Sequence, residues 1–251
     1  MCTVVLLRRP KHPWPVILGA NRDEMLGRPW KPPARHWPER ADVVAGLDEL
    51  AGGTWMGLND SGVVACILNR HGSLGPAPGK RSRGELVLEA LDHSDAAAAA
   101  AALTELAPEA YRPFNMVIAD NRDAWWLAHV GVRKPLRLEK VPDGLSMFTA
   151  FERNDPSDPR ITAFRPRFEA AQAPNPDADD WAAWQGLLGT TDPSGETRGM
   201  SFRMPSGFGT SSASLLALPS AEAVFGPEKK RPRWLFAAGA PDSTPFLPVV
   251  D

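Results

Sequence analysis

Short apolar runs bounded by Gly, Pro, Asn and Asp recur along the whole chain, a pattern typical of β-strands. The predicted strands are residues 3–8, 16–20, 43–46, 63–69, 114–119, 124–130, 135–139, 145–150, 208–218 and 234–239. Between 114–119 and 124–130, the pair Asp120-Asn121 predicts a tight antiparallel hairpin. The chain is therefore predicted to be rich in antiparallel sheet.

Helical patterns are fewer and lie between the strands. The predicted helices are residues 85–93, 94–106, 160–172 and 179–188. Ser82 and Glu85 have the spacing of a capping box at the start of the first helix, and Pro166 should interrupt the third. Strands that surround helices in sequence order indicate an α+β layered fold.

Size and composition favour one domain over residues 1–251. The chain has 251 residues, of which 43% are hydrophobic, so it can bury a single large core. Its proline-rich stretches, at 28–38, 75–80 and 174–180, are predicted to be loops and are too short to be domain linkers. The net charge of −2 and scattered basic residues argue against nucleic acid and anionic membranes as partners. A small or neutral ligand is expected, and protein partners stay open.

The sequence carries no clear signal for targeting, metal binding or nucleotide binding. The opening apolar run, residues 3–7, is shorter than a secretory hydrophobic region, and no run approaches the ~20 apolar residues of a membrane span. A cytoplasmic location without transmembrane segments is therefore expected. Histidine and cysteine spacings do not predict a metal site, and Cys66, in an apolar strand, is interpreted as a buried inert thiol.

Cys2 differs from Cys66 because of its position next to Met1. Removal of Met1 would leave a thiol and a free α-amino group on one residue. An α-amino group has a pKa of about 7.7–8.0, so it can accept the thiol proton near neutral pH. Cys2 is thus a candidate nucleophile, although a cysteine in a frayed terminus is the alternative.

Two further segments supply candidate partners for that nucleophile. After the second predicted strand, Arg22 and Asp23 could tune the thiol and the amine, unless they form an ordinary surface salt bridge. Asn69 ends another predicted strand, where a side-chain amide could stabilise an oxyanion, or simply begin a turn. A second Asn-Arg-Asp, at 121–123, lacks a cysteine partner and is interpreted as turn chemistry.

Taken together, these motifs resemble the NRDE family, whose eukaryotic relatives are the transport and Golgi organisation proteins. The resemblance is carried by Cys2, "ANRDE" at 20–24, "GGTWMGLNDSG" at 52–62, Asn69 and "SRGELV" at 82–87, and more weakly by 113–120 and 207–219. It implies the N-terminal-nucleophile hydrolase fold, a four-layer αββα sandwich related to penicillin V acylases and bile-salt hydrolases.

The resemblance also implies residue roles. Cys2 would be the nucleophile, Asp23 would hold the new α-amino group, and Asn69 would donate to the oxyanion. The candidate binding residues flank these positions and are Asn21, Arg22, Glu24 and Arg70. Where relatives carry an Asn and an Arg, this chain has "LSMFTAF" at 145–151 and "FGTSSAS" at 208–214, which weakens the expectation of proficient amide hydrolysis.

Three functions stay open on the sequence. The first is a cysteine hydrolase that cleaves a non-peptide amide or acyl bond through a thioester at Cys2 and needs no cofactor. The second, implied by the resemblance, is a binding or carrier protein for haem, acyl-CoA or lipid. The third is a degenerate member of the fold that interacts with proteins, to which nine tryptophans give some weight.

Overall fold

The structure, a computed structural model, describes residues 2–131, 134–192 and 198–249. The chain divides into two compact units. The first unit runs to Arg28 and resumes over Asp143–Val249, and the second spans Pro29–Pro142. Each unit contains one antiparallel sheet. The single domain expected over 1–251 stays a prediction.

The elements alternate as an α+β chain. In the first unit they are β1 (Thr3–Arg8), β2 (Val16–Met25), β10 (Gly144–Phe148), α3 (Pro159–Ala170), α4 (Ala182–Leu188), β11 (Phe208–Leu218), α5 (Ala221–Phe225), β12 (Arg233–Ala237) and β13 (Leu247–Pro248). In the second they are β3 (Trp30–Ala34), β4 (Val43–Asp48), β5 (Met56–Asn59), β6 (Val64–Asn69), α1 (Gly84–Leu91), α2 (Ala96–Leu103), β7 (Phe114–Ala119), β8 (Ala124–His129) and β9 (Arg137–Lys140).

The sheet of the first unit has the strand order β10-β1-β2-β11-β12-β13. Because strand residues alternate between faces, one face carries an apolar stripe that includes Val5, Ile17 and Leu215. This stripe packs with Trp184 of α4 and Phe168 of α3, whose rings meet edge to face. The helices thereby cover the face of β1 and β2 that also carries part of the candidate site.

The sheet of the second unit follows chain order from β3 to β9, with α1 and α2 packed on an apolar core. The predicted hairpin between β7 and β8 is confirmed, since Ala119 pairs with Ala124. In its turn, the Asp120 carboxylate accepts hydrogen bonds from the backbone N–H groups of Arg122 and Asp123. The second Asn-Arg-Asp is therefore a turn, as its sequence indicated.

The second strand is longer than predicted. The sequence indicated residues 16–20, but β2 continues through Asn-Arg-Asp-Glu to Met25. Polar residues in a buried strand look like a turn on the sequence. Here they pair with an equally polar part of β11, where Thr210 opposes Asp23, so that the backbone and side chains are hydrogen-bonded.

The predicted capping box of α1 is wrong. The Ser82 hydroxyl accepts a bond from the Gly84 N–H, but the Glu85 carboxylate accepts from the Tyr111 hydroxyl at 2.6 Å and pairs with Arg81 at 2.7 Å. Arg81 and Tyr111 bind the Glu85 carboxylate, which therefore does not cap the backbone at the start of the helix. The helix nonetheless begins next to the predicted position.

Two proline-related expectations are also corrected. Helix α3 runs without interruption through Pro166, whose side chain is exposed, because one missing N–H can be tolerated where the ring faces solvent. The stretch around Pro32 and Pro33, predicted as a loop, contains β3. This strand lies at the sheet edge with irregular register, which is the position where prolines are accepted.

Among the described residues, no helix is long and apolar enough to cross a bilayer. A search of the same residues finds no group of three His, Cys, Asp or Glu side chains arranged to hold a metal ion.

Candidate functional site

The Cys2 thiol is held by the backbone of Asp23. Cys2 is half-buried and directly precedes β1, whose first residue, Thr3, pairs with Asn21 of β2. The sulfur lies 3.4 Å from the Asp23 carbonyl oxygen, to which the thiol donates. The Asp23 N–H donates back to the sulfur at 3.3 Å. The pairing of two neighbouring strands thus fixes the thiol at one sheet end.

The surroundings of Cys2 act on its ionisation in both directions. Burial raises the pKa of the Cys2 thiol, and the negative charge of Asp23 raises this pKa further. The Asp23 backbone N–H and the positive charge of Arg22 oppose the rise. The thiolate is therefore harder to form at this site than in a free cysteine.

Cys66 has a different environment. It is buried within β6, and burial alone raises the pKa of its thiol. Its prediction as a buried, inert cysteine agrees with this placement.

The Asp23 carboxylate is enclosed and hydrogen-bonded through both oxygens. Its side chain has no exposed area, and its two oxygens accept from the Arg160 guanidinium at 3.0 Å and the Thr210 hydroxyl at 2.8 Å. Arg22 is also buried. The alternative interpretation of Arg22 and Asp23 as an ordinary surface salt bridge is therefore wrong.

Arg160 enters the site from the first turn of α3. This helix begins with Asp158 as its N-cap and Pro159 in its first turn, and the Asp158 carboxylate accepts from the Arg160 N–H at 2.8 Å. The guanidinium also donates to the Thr3 hydroxyl at 2.9 Å and lies 5.3 Å from the ring centre of Phe202. It therefore contacts both the residue after Cys2 and the carboxylate of Asp23.

A β-bulge in β11 shapes the other side of β2. The register shifts between Thr210 and Ser212, so that Ser211 is the extra residue. The Ser211 hydroxyl accepts from Arg22 Nη1 at 3.0 Å and donates to the Arg22 carbonyl at 3.1 Å. Thr210 thus hydrogen-bonds to Asp23, and Ser211 hydrogen-bonds to Arg22 on the opposite face of β2.

Two of the predicted binding residues have structural partners in the same unit. Asn21 donates from its amide nitrogen to the carbonyls of Leu188 and Met200, at 3.0 and 2.8 Å. Glu24 accepts from the N–H of Met25 at 2.8 Å. Their roles in ligand binding stay predictions.

The remaining predicted residues belong to the second unit. Asn69 is the last residue of β6, half-buried and paired with Phe114. Arg70 follows it and donates to the Asn115 side-chain oxygen at 2.7 Å, an oxygen that Trp126 also contacts at 3.2 Å. The oxyanion role of Asn69 and the binding role of Arg70 stay predictions.

The segments that depart from the family pattern have defined places in the first unit. In 145–151, Met147 joins the apolar core and Thr149 donates to the Asp158 carboxylate at 2.5 Å. In 208–214, Thr210 and Ser211 supply the hydroxyls that hold Asp23 and Arg22. The second of these segments therefore supplies partners of Asp23 and Arg22, and the first supplies a core residue and a partner of Asp158.

Sequence reasoning missed Arg160 and Thr210. Arg160 is 137 residues from Asp23 along the chain, and the sequence shows it only as the first residue of a predicted helix. The Asp-Pro-Arg start of α3 signals a helix cap, which explains its position but not its partner.

Comparison with known proteins identifies both the family and the fold. The family model described as "Transport and Golgi organisation 2" matches residues 1–178. The Transport and Golgi organization 2 homolog of Mus musculus is 34% identical over 115 residues, and the Homo sapiens protein is 33% identical over 115 residues. Each alignment covers 44% of this chain but only 40% of the relative's length.

Three solved structures share the fold at low sequence identity. The N-acylethanolamine-hydrolyzing acid amidase ortholog of Caenorhabditis elegans has a TM-score of 0.56 and 12% identity, and the similarity covers 85% of this chain and 92% of that chain. Penicillin V acylase from Agrobacterium tumefaciens has a TM-score of 0.55 and 13% identity, covering 94% of this chain and 83% of that chain.

A mutant of conjugated bile acid hydrolase from Clostridium perfringens has a TM-score of 0.57 and 10% identity, covering 100% of this chain and 97% of that chain. These likenesses, with two antiparallel sheets and few helices, confirm the predicted N-terminal-nucleophile hydrolase fold class.

Proposed function

The chain belongs to the Transport and Golgi organisation 2 family, and from this premise we propose that it is a hydrolase with Cys2 as its nucleophile. The proposed substrate contains a non-peptide amide or a related acyl bond. The observation that carries the proposal is the thiol at the start of β1, bonded through its sulfur to the Asp23 backbone. The fold shared with amide hydrolases supports it.

In the proposed reaction, Cys2 is the first residue and its α-amino group accepts the thiol proton. The thiolate attacks the substrate carbonyl carbon, a carbon–sulfur bond forms, and the leaving group departs with the proton from the α-ammonium group. Water then attacks the thioester while the amine accepts a proton. The carbon–sulfur bond then breaks, the acid leaves, and the α-ammonium group returns its proton to the sulfur.

The surrounding side chains have supporting roles in this proposal. Asp23 orients the α-amino group, and Arg22 favours the thiolate through its positive charge. Asn69 is the proposed donor to the oxyanion of the tetrahedral intermediate. If this role is right, Asn69→Ala lowers kcat by about 100-fold while alkylation of Cys2 is unchanged.

The test compares the wild type with Cys2→Ser and Cys66→Ser, each with residue 2 as the verified first residue. Hydrolysis is measured on a panel of non-peptide amides and thioesters with short, medium and long acyl groups. Activity should fall by about 1000-fold or more in Cys2→Ser and persist in Cys66→Ser.

Retention of hydrolysis in a Cys2→Ser variant of native fold would reject the nucleophile. The binding or carrier function for haem, acyl-CoA or lipid is measured on the same variants. It would replace the hydrolase proposal if these ligands bind to wild type and Cys2→Ser equally and no acyl bond is cleaved.

A further inference from the structure

We infer that Arg160 is a positioning residue, which fixes the Asp23 carboxylate and balances its charge so that Cys2 stays competent as a nucleophile. The inference rests on the proposed function, which makes Cys2 the reacting group. Its structural basis is a set of buried contacts that join α3 to the first residues of β1 and to β2.

The Arg160 guanidinium is buried between Thr3 and Asp23. Arg160 is 5% exposed, and the Asp23 side chain with which it pairs is fully enclosed. The same Nη1 atom lies 2.9 Å from the Thr3 hydroxyl and 3.0 Å from the Asp23 carboxylate. Arg160 therefore bridges the residue that follows the nucleophile and the residue whose backbone holds the sulfur.

The enclosed negative charge of Asp23 needs stabilising partners. A buried carboxylate is stable only when it is paired and hydrogen-bonded. Asp23 has a charged partner in Arg160 and a neutral one in Thr210. Without the guanidinium, the carboxylate would lose this charged partner, and its negative charge would be less well balanced.

The charges of Arg160 and Asp23 affect the ionisation of the Cys2 thiol. Burial raises the pKa of Cys2, and the Asp23 charge adds to the rise, while Arg22 acts against it. Two further charged side chains at this point are Arg160 itself and Asp158, which accepts from Thr149 and from the Arg160 backbone. Arg160 thus supplies the positive charge that directly faces the carboxylate responsible for part of the rise.

The charge balance acts on both groups of the proposed nucleophile. An unbalanced Asp23 carboxylate disfavours the thiolate and favours the α-ammonium form of the amine. The first effect moves the formation of the reactive thiolate to higher pH, whereas the second places a positive charge next to the sulfur and offsets part of this rise. Removal of Arg160 should therefore change a pH profile, which loss of packing alone would not do.

The experiment measures iodoacetamide alkylation of Cys2 against pH, in the full chain with Cys2 first and with Cys66→Ser as common background. Arg160→Met keeps the apolar stem and removes the charge. Arg167→Met is the matched control, since Arg167 belongs to the same helix but is exposed against Phe164. We expect the midpoint to rise by about one pH unit in Arg160→Met and to stay constant in Arg167→Met.

Two more variants separate charge from packing. Asp23→Asn combined with Arg160→Met removes both charges and should return the midpoint to the wild-type value or below. Arg160→Lys keeps the charge and should lie closer to wild type than Arg160→Met. If Arg160→Met does not fold, Arg160→Lys and the double variant provide the comparison. Thr210→Val is added to them, since it removes neutral hydrogen bonds to Asp23, Phe202 and Met200 but no charge.

An unchanged midpoint in a folded Arg160→Met variant would overturn the inference, as would the same upward shift in the double variant. The readout is independent of turnover. A charge-dependent shift without hydrolysis of any panel substrate would therefore reject the proposed hydrolase and keep the coupling of Arg160 to the thiol. Hydrolysis of a panel substrate without a shift of the alkylation midpoint would keep the proposed hydrolase and reject the coupling of Arg160 to the thiol.

Discussion

At the scale of single residues, the two cysteines should differ in reactivity. Cys2 is half-buried at a strand start, whereas Cys66 is enclosed in an apolar strand. We predict that iodoacetamide modifies Cys2 much faster than Cys66 at neutral pH when Cys2 has a free α-amino group. Peptide mass spectrometry over a time course measures both rates in one sample.

The matched control for this prediction is the same chain with a removable N-terminal extension. The extension converts the amine into a peptide bond, and the burial that raises the pKa of Cys2 is then unopposed by that base. Labelling of Cys2 should be slow before the extension is cleaved and fast afterwards. Equal rates in both forms would argue against the amine as the base.

Asn21 should contribute to stability whatever its role in binding. Its amide nitrogen donates hydrogen bonds to the carbonyls of Leu188 and Met200, and the side chain is buried. Asn21→Ala should lower the free energy of unfolding by about 1–3 kcal/mol, because the buried carbonyls lose this donor. Urea unfolding measures the loss, and an unchanged midpoint would show that these bonds contribute little.

At the scale of elements, α3 gives a test of proline in a helix. Pro166 lies inside this helix and is exposed, whereas Pro159 lies in the first turn, where no backbone donor is lost. Pro166→Ala should raise the free energy of unfolding by about 2 kcal/mol, since a restored N–H outweighs the greater freedom of the unfolded chain. Thermal unfolding provides the measurement.

Pro159→Ala is the control for this helix. It should leave stability unchanged or slightly lower, because proline fits the first turn. If Pro166→Ala is no more stable than Pro159→Ala, the continuous course of α3 through residue 166 would be in question.

Elements with clear apolar patterns could be predicted from the sequence. β1 and β7 have the predicted bounds, since their burial follows from local composition. The end of β2 could not be predicted, because its polar residues are stabilised by β11 and α3, which lie far away in sequence. For the same reason the sequence indicated Cys2 and Asp23 as candidates but not Arg160, whose significance depends on its distant partner.

At the scale of the whole molecule, two histidines should make stability depend on pH. Burial lowers the pKa of His129 in the second unit, with Lys80 and Arg70 acting in the same direction. Burial and Arg9 lower the pKa of His12 in the first unit. A lowered pKa in the folded state means that the unfolded state binds protons more readily as pH falls.

The free energy of unfolding should therefore be highest above about pH 6.5, the ordinary histidine pKa, and fall as pH decreases below it. Urea unfolding at pH 7.5 and at pH 5.5 compares the two conditions. His129→Gln should reduce the difference between them, whereas His71→Gln, at an exposed position, serves as the control. An equal difference in both variants would show that His129 does not carry the effect.

Acid-quenched mass spectrometry tests most directly whether Cys2 forms a covalent acyl intermediate. The chain with Cys2 first is mixed with the panel substrates, quenched within the first turnover and digested. We predict an added acyl mass on the Cys2 peptide that is sensitive to hydroxylamine, and none in Cys2→Ala or in the N-terminally extended form. Turnover of a substrate by Cys2→Ala, or turnover by the wild type through an acyl adduct on another residue, would contradict the account.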